Sequence, residues 1–418
     1  MSELKYTEIN SCRVCESTDL CHSIELGILA SCGVFQAKSK LSAPTGVLSL
    51  LICRRCLLVQ TDRNFDLDEL FRIEYGYESS LNSSMALHLF QMINEYKNSG
   101  FSIEKNNYLD IGSNDGTLIN FVAEEEIFAN CYAVDPTIEK FSSNYSFRVK
   151  QNPDFFNLKT AQKLSEEGIK FDLITSIAMF YDLPEPDDFV KGIKSLLAQN
   201  GVWILELSYL YSMVKSLAFD TICHEHLEYY SLYSLRHLIQ SNNMKIVKFD
   251  ENDSNGGSMR LYIAHNESTF QEANIETVLA NEFSNAEEID RMLQKMMQDV
   301  AVNITLAKEF LNYSRSNNLI VHGLGASTKG NTFLQYAGLT SDDIQYVAEI
   351  NEKKFGKITP GSQITIISEM DSEKMNPAFY IVLPWHFRKN IIEKKRKFLE
   401  DGGRLIFVFP QFEIVEKA

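Results

Sequence analysis

Tyr108-Leu-Asp-Ile-Gly-Ser-Asn-Asp-Gly-Thr117 and Leu319-Ile-Val-His-Gly-Leu-Gly-Ala-Ser-Thr-Lys-Gly330 are two glycine-rich loops, each set between an apolar strand and a helical stretch. An acid follows each loop at the end of another apolar run, Asp135 after Ala133-Val134 and Glu349 after Tyr346-Val347-Ala348. One such unit suggests a nucleotide-like ligand. Two suggest that the chain brings two such ligands together.

In the first loop, residues 107–111 read as a buried parallel strand. Gly112 permits a sharp exit and Gly116 lets the chain run past a ligand into a helix from about Thr117. Asp110 can accept a hydrogen bond from a ligand ammonium, and Asp135 can bind both ribose hydroxyls. Two acids here would repel a pyrophosphate but suit a cationic, amine-bearing ligand. The spacing resembles motif I of class I S-adenosylmethionine (SAM) methyltransferases more than a dinucleotide fingerprint. Strands expected at 171–176 and 201–206, with an amphipathic helix at 189–197, continue a doubly wound sheet.

The second loop differs. Ser327, Thr328, Lys329 and a run of free amides suit phosphate, although the Gly-Lys-Ser/Thr ending of a P-loop is missing. Strands at 320–322, 378–383 and 404–409 and a helix at 389–400 follow. Before it, residues 281–316 carry helical apolar spacing (Ile289, Leu293, Met296, Val300, Ile304) and read as a connecting helix or helical pair.

Cys12-Arg-Val-Cys15 and Cys53-Arg-Arg-Cys56 form two knuckles that can close a four-sulfur site for structural Zn2+. Such a site holds residues 1 to about 70 together and takes no part in chemistry. A length of 418 residues predicts two or three domains, and a net charge of −16 without a Lys/Arg run argues against nucleic acid. Neither a signal peptide nor a membrane-spanning stretch is evident, so the expectation is a cytoplasmic protein without a membrane partner.

Phe219-Asp-Thr-Ile-Cys-His-Glu-His-Leu-Glu-Tyr-Tyr-Ser231 is the densest run of proton-transfer side chains. His224 and His226 share a face only on extended backbone. Either could be a general base, the pair could bind a metal, or both could be polar residues at a domain seam.

Taken together these motifs, with Tyr77-Glu-Ser-Ser-Leu81, Asn255-Gly-Gly-Ser-Met-Arg260, Phe355-Gly-Lys-x-Thr-Pro-Gly361 and Leu383-Pro-Trp-His-Phe387, resemble the SAM-dependent sugar C-methyltransferases over nearly the whole chain. The resemblance implies an α/β protein: a zinc-binding domain (1–70), a class I SAM methyltransferase domain (71–275) and a Rossmann-like sugar-nucleotide-binding domain (276–418). It implies His226 as the base that removes a proton beside a ketone, supported by His224 and Glu225. Tyr77, Asp110, Gly112, Asn114, Gly116 and Asp135 would hold SAM. Asn255, Arg260, Gly325, Ser327, Lys329, Glu349 and His386 would hold a nucleotide-diphosphate ketosugar. Cys223 departs from the tyrosine of antibiotic-sugar members. The competing readings are an O- or N-methyltransferase, a nicotinamide-dependent sugar oxidoreductase with Glu349 on the ribose, and a non-catalytic binding module.

Overall fold

The computed structural model describes residues 3–37, 43–66, 70, 78–101 and 106–417. The first glycine loop leaves the middle of a seven-stranded sheet. Across that sheet run Met244–Asn252, Ser258–His265, Leu197–Ser208, Phe171–Ile177, Asn107–Ile111, Asn130–Val134 and Val149–Asn152. The last five are parallel, and the first two form an antiparallel hairpin on one edge. Asn107–Ile111 and Phe171–Ile177 are buried on both faces, which is why they read as near-continuous apolar runs. Helix Pro186–Leu196 opens with proline and two aspartates in its first turn, matching the positive end of its dipole, and buries Phe189, Val190, Ile193 and Leu196. Chain order reverses beside Asn107–Ile111, so a crevice opens at the carboxyl strand ends there.

A second sheet of eight strands holds the second loop. Its parallel centre is Arg404–Phe407, Phe379–Val382, Val321–Leu324, Tyr346–Glu349 and Thr365–Ser368. The expected helix at 389–400 is two short helices, Arg388–Lys394 and Arg396–Glu400. Lys395 between them is buried and reaches Glu369 (2.6 Å) and Glu373 (3.0 Å).

Residues 281–316 resolve into one long helix, Ala286–Ser316, capped by the Asn285 side chain on the Glu288 N–H. Its buried stripe of Ile289, Leu293, Met296, Val300, Ile304 and Leu311 packs in one core shared by the N-terminal sheet and the C-terminal sheet. Each such side chain contributes roughly 1.5–3 kcal/mol.

The N-terminal residues are not free-standing. Leu20–Ala30, Thr45–Cys53 and Val59–Thr61 make an antiparallel sheet whose fourth strand is Glu228–Tyr229, directly after the His-Glu-His run. Gln36–Ala37 extends the C-terminal sheet by pairing with Lys357–Ile358. Among the described residues no helix is long and apolar enough to cross a membrane.

Candidate active site

The two cysteine knuckles converge. The sulfurs of Cys12, Cys15, Cys53 and Cys56 all lie within 4.8 Å of one another. Four thiols gathered this closely, three of them buried, fit one tetrahedral zinc with no open position. Between the first two sits Arg13, whose guanidinium is fully enclosed. It donates to the carbonyls of Thr61 (2.9 Å) and Leu227 (3.3 Å) and pairs with Glu228 at 3.4 Å. The knuckle therefore fixes the backbone just after His226, a link that sequence spacing does not reveal.

Beyond the first loop lies a cavity of about 230 Å³. Asp110, Gly112, Asn114 and Asp135 line it together with His226, Asn255 and Lys329. Gly112 has φ +74°, and a Cβ there would stand 2.6 Å from Met179, so only glycine fits the turn without displacement. Gly116, also at positive φ, caps helix Thr117–Glu124. Burial raises the Asp110 carboxyl to about 7, against the hydrogen bond from Thr175 Oγ1 at 2.6 Å. Burial also raises Asp135, which is steadied by the N–H groups of Asn114 (2.8 Å) and Thr137 (2.6 Å). Two carboxylates on the wall suit a ligand carrying both a cation and hydroxyls. Tyr77 lies outside the described residues.

The two histidines diverge, because residues 222–227 form a turn rather than a strand. His226 donates from Nδ1 to the Thr221 carbonyl at 2.7 Å, which leaves Nε2 unprotonated, and the ring edges against Tyr181. Burial lowers its pKa to about 4, more than the nearby Glu225 charge raises it. Neutral and facing the cavity, it can accept a proton. His224 turns the other way, with Nε2 at 3.1 Å from the Gly46 carbonyl and its ring on Phe65. Glu225 accepts from the Gly33 N–H at 3.2 Å. Neither His224 nor Glu225 lines a described cavity. The expected support for the base is therefore corrected to anchoring of its turn.

A second cavity of about 360 Å³ adjoins the first and shares Asn255, Thr328 and Lys329 with it. Gly325, Ser327, Glu349 and His386 also line it. Ser327 caps helix Thr328–Tyr336 by accepting from the Gly330 N–H, and Gly325 at φ +80° packs on Pro384. Glu349 accepts from the N–H groups of Ala326 (2.8 Å), Ile350 (2.7 Å) and Asn351 (3.0 Å) and so braces the loop on the wall of this cavity. Lys329 donates to the Asn255 carbonyl at 2.8 Å, and burial lowers its pKa while nearby Asp220 raises it. His386 is driven well below its usual value by burial and by Lys329.

Arg260 is a correction. In the sheet it stands directly across from Glu206, donates to it at 2.6 Å and to Glu95 at 2.6 Å, and lines none of the described cavities. Burial alone would raise Glu206, but His88 and Arg260 hold it below its usual value. Residues missed from sequence include Lys354, which lines the second cavity, and Asp220, which accepts from Trp385 Nε1 at 2.8 Å and faces Lys329. Their only sequence signal is closeness to the Phe355 and His224 motifs.

Three family models match the chain in succession: a zinc binding domain over residues 12–71, a methyltransferase domain over 87–248 and a C-methyltransferase C-terminal domain over 253–410. The C-methyltransferase NovU of Streptomyces niveus is 26% identical over 419 residues, which span 97% of each chain. Similar solved structures include the plantazolicin methyltransferase BpumL in complex with a pentazolic desmethylPZN analog and SAH. It is 11% identical with a TM-score of 0.36, over 45% of this chain and 88% of that one. Magnesium protoporphyrin IX methyltransferase (ChlM) from Synechocystis PCC 6803 with bound SAM is 12% identical with a TM-score of 0.32, over 43% and 79%. Those two likenesses are too loose to bear on the site. The end-to-end relative and the order of the three matched regions are not loose, and by them the chain belongs to the SAM-dependent C-methyltransferases.

Proposed function

We propose that this C-methyltransferase acts on a nucleotide-linked 4-ketosugar and methylates a ring carbon beside the ketone. The observation that supports this most is the pair of adjoining cavities, with His226 on the wall of the first and Lys329 common to both. Bound SAM supplies the electrophilic methyl group. Asp110 and Asp135 hold the amine and ribose ends of that ligand, within a turn shaped by Gly112, Asn114 and Gly116. His226 Nε2 takes the proton from the ring carbon, its other nitrogen being fixed on Thr221. The electron pair left behind spreads onto the ketone oxygen, which needs a positive neighbour. Lys329, which donates to the Asn255 carbonyl and lines both cavities, supplies that charge. The diphosphate finds Lys354, His386 and the N-terminal N–H groups of helix Thr328–Tyr336 around Gly325 and Ser327.

Incubation with SAM and a panel of nucleotide-linked 4-ketosugars in deuterated water tests the reading. The expected result is a new carbon–carbon bond beside the ketone, with exchange of the neighbouring proton when SAM is left out. A product methylated on oxygen or nitrogen, identified by carbon NMR, would replace this reading with O- or N-methyl transfer.

A further inference from the structure

Outside the linings of both cavities, three further side chains of metal-ligating type meet. Cys32 follows strand Leu20–Ala30, and Cys223 and Glu225 come from the His-Glu-His turn. Their ligand atoms all lie within 4.8 Å of one another. All are buried, with exposures of 2% for Cys32 and 5% for both Cys223 and Glu225.

The contacts of Glu225 are weak for an enclosed carboxylate. It accepts from the Gly33 N–H at 3.2 Å, the Ser31 hydroxyl at 3.4 Å and the Cys32 thiol at 3.5 Å, and among the described residues it has no ion pair. A buried carboxylate ordinarily has a cation or good donors, since desolvation otherwise costs several kcal/mol. Two soft sulfurs and one carboxylate oxygen form a donor set that selects zinc over magnesium or calcium. Geometry agrees with chemistry. Zinc bonds of about 2.3 Å to sulfur and about 2.1 Å to oxygen, at a tetrahedral angle, set a sulfur–oxygen separation of about 3.6 Å. Cys32 Sγ and Glu225 Oε2 stand 3.5 Å apart.

We propose that Cys32, Cys223 and Glu225 form a second zinc site, separate from the Cys12, Cys15, Cys53 and Cys56 cluster. Zinc displaces one proton from each thiol to solvent, and two thiolates with one carboxylate then bind it. The Thr332 hydroxyl beside Cys32 and the Ser31 hydroxyl beside Glu225 border the fourth position. Cys32 already offers its carbonyl to Asn331 Nδ2 at 2.8 Å, so the ion ties the N-terminal sheet, the turn that carries His226 and the helix after the second glycine loop at one point.

The test is zinc content of the full-length chain after exposure to excess zinc chloride and desalting, measured by mass spectrometry of the metal. Two zinc ions per chain are expected in the wild type and one in Cys32→Ser, Cys223→Ser and the near-isosteric Glu225→Gln. Cobalt(II) titration gives a second readout: thiolate charge-transfer absorbance should rise over two equivalents in the wild type and over one in Glu225→Gln. Saturation of the wild type at one ion, two ions retained in all three variants, or a Cys32–Cys223 disulfide in the reduced, purified protein would overturn the proposal. None of these outcomes depends on the sugar substrate.

Discussion

Lowering the pH should weaken SAM binding by an amount set by Asp110. Its carboxyl titrates near 7 in the ligand-free fold because burial disfavours the charge. A ligand ammonium pairs with the carboxylate and not with the acid, so below pH 7 binding must first remove a proton. At pH 7 about half of the molecules are ready and at pH 5.5 only a few per cent, a loss on the order of tenfold in affinity, or about 1–2 kcal/mol. His226 does not confuse the measurement, since it protonates only near pH 4. Isothermal titration calorimetry in buffers of different ionisation heat reads both quantities: the dissociation constant should rise by about that factor, and binding at pH 6 should release about 0.9 of a proton. Asp110→Asn should bind SAM more weakly and with little pH dependence. Affinity that stays level from pH 7 to 5.5 in the folded wild type, or an unchanged slope in Asp110→Asn, would refute the pairing of Asp110 with the ligand amine.

Four further outcomes are expected. His226→Asn should lower turnover by about 10²–10⁴-fold with SAM affinity unchanged, which single-turnover assays and calorimetry separate; near-normal turnover removes the base. With SAM saturating, the acid limb of wild-type kcat/KM for the sugar should fall near pH 4 rather than 6.5, and the wild type should lose stability relative to His226→Asn as pH falls from 6.5 towards 4, because the unfolded chain takes up the His226 proton first. That decline is at most about 3 kcal/mol, less where water reaches the ring from the cavity. Arg13→Met strands Glu228 in the core and should cost about 3–5 kcal/mol in urea unfolding; a smaller loss means the pair is replaceable. Stripping zinc from the four-cysteine cluster with a chelator should lower the melting temperature by many degrees, and an unchanged melt would argue against a structural ion there.

Much of the architecture was legible in the sequence, for reasons that differ by element. Asn107–Ile111 is buried on both faces, so its apolar run marked it residue for residue. The cysteine knuckles were legible because metal ligands must recur at fixed local spacing. What spacing cannot report is the direction of a side chain or the partner of a distant strand. Arg260 was assigned to the sugar because Asn255 to Arg260 is contiguous in sequence, yet successive strand residues point to opposite faces, and its face holds Glu206. His224 and His226 diverge for a related reason. The Glu228–Tyr229 strand joins the knuckle sheet, and that pairing pins one end of their turn.

That pairing bears on why the N-terminal sheet is present at all. A base must be held within about half an ångström of its productive position, and a turn between two lobes has too few contacts of its own to hold it there. Here the turn is gripped on both flanks. Thr61 donates its N–H to the Leu227 carbonyl at 2.8 Å on one side, and Trp385 of the C-terminal lobe holds Asp220 on the other. Since Arg13 reaches the same Leu227 carbonyl from between two zinc ligands, loosening the knuckle should disturb His226 before it disturbs SAM. A partly demetallated chain should thus lose turnover while keeping its affinity for SAM. Parallel loss of both would mean instead that the knuckle serves only the stability of the whole.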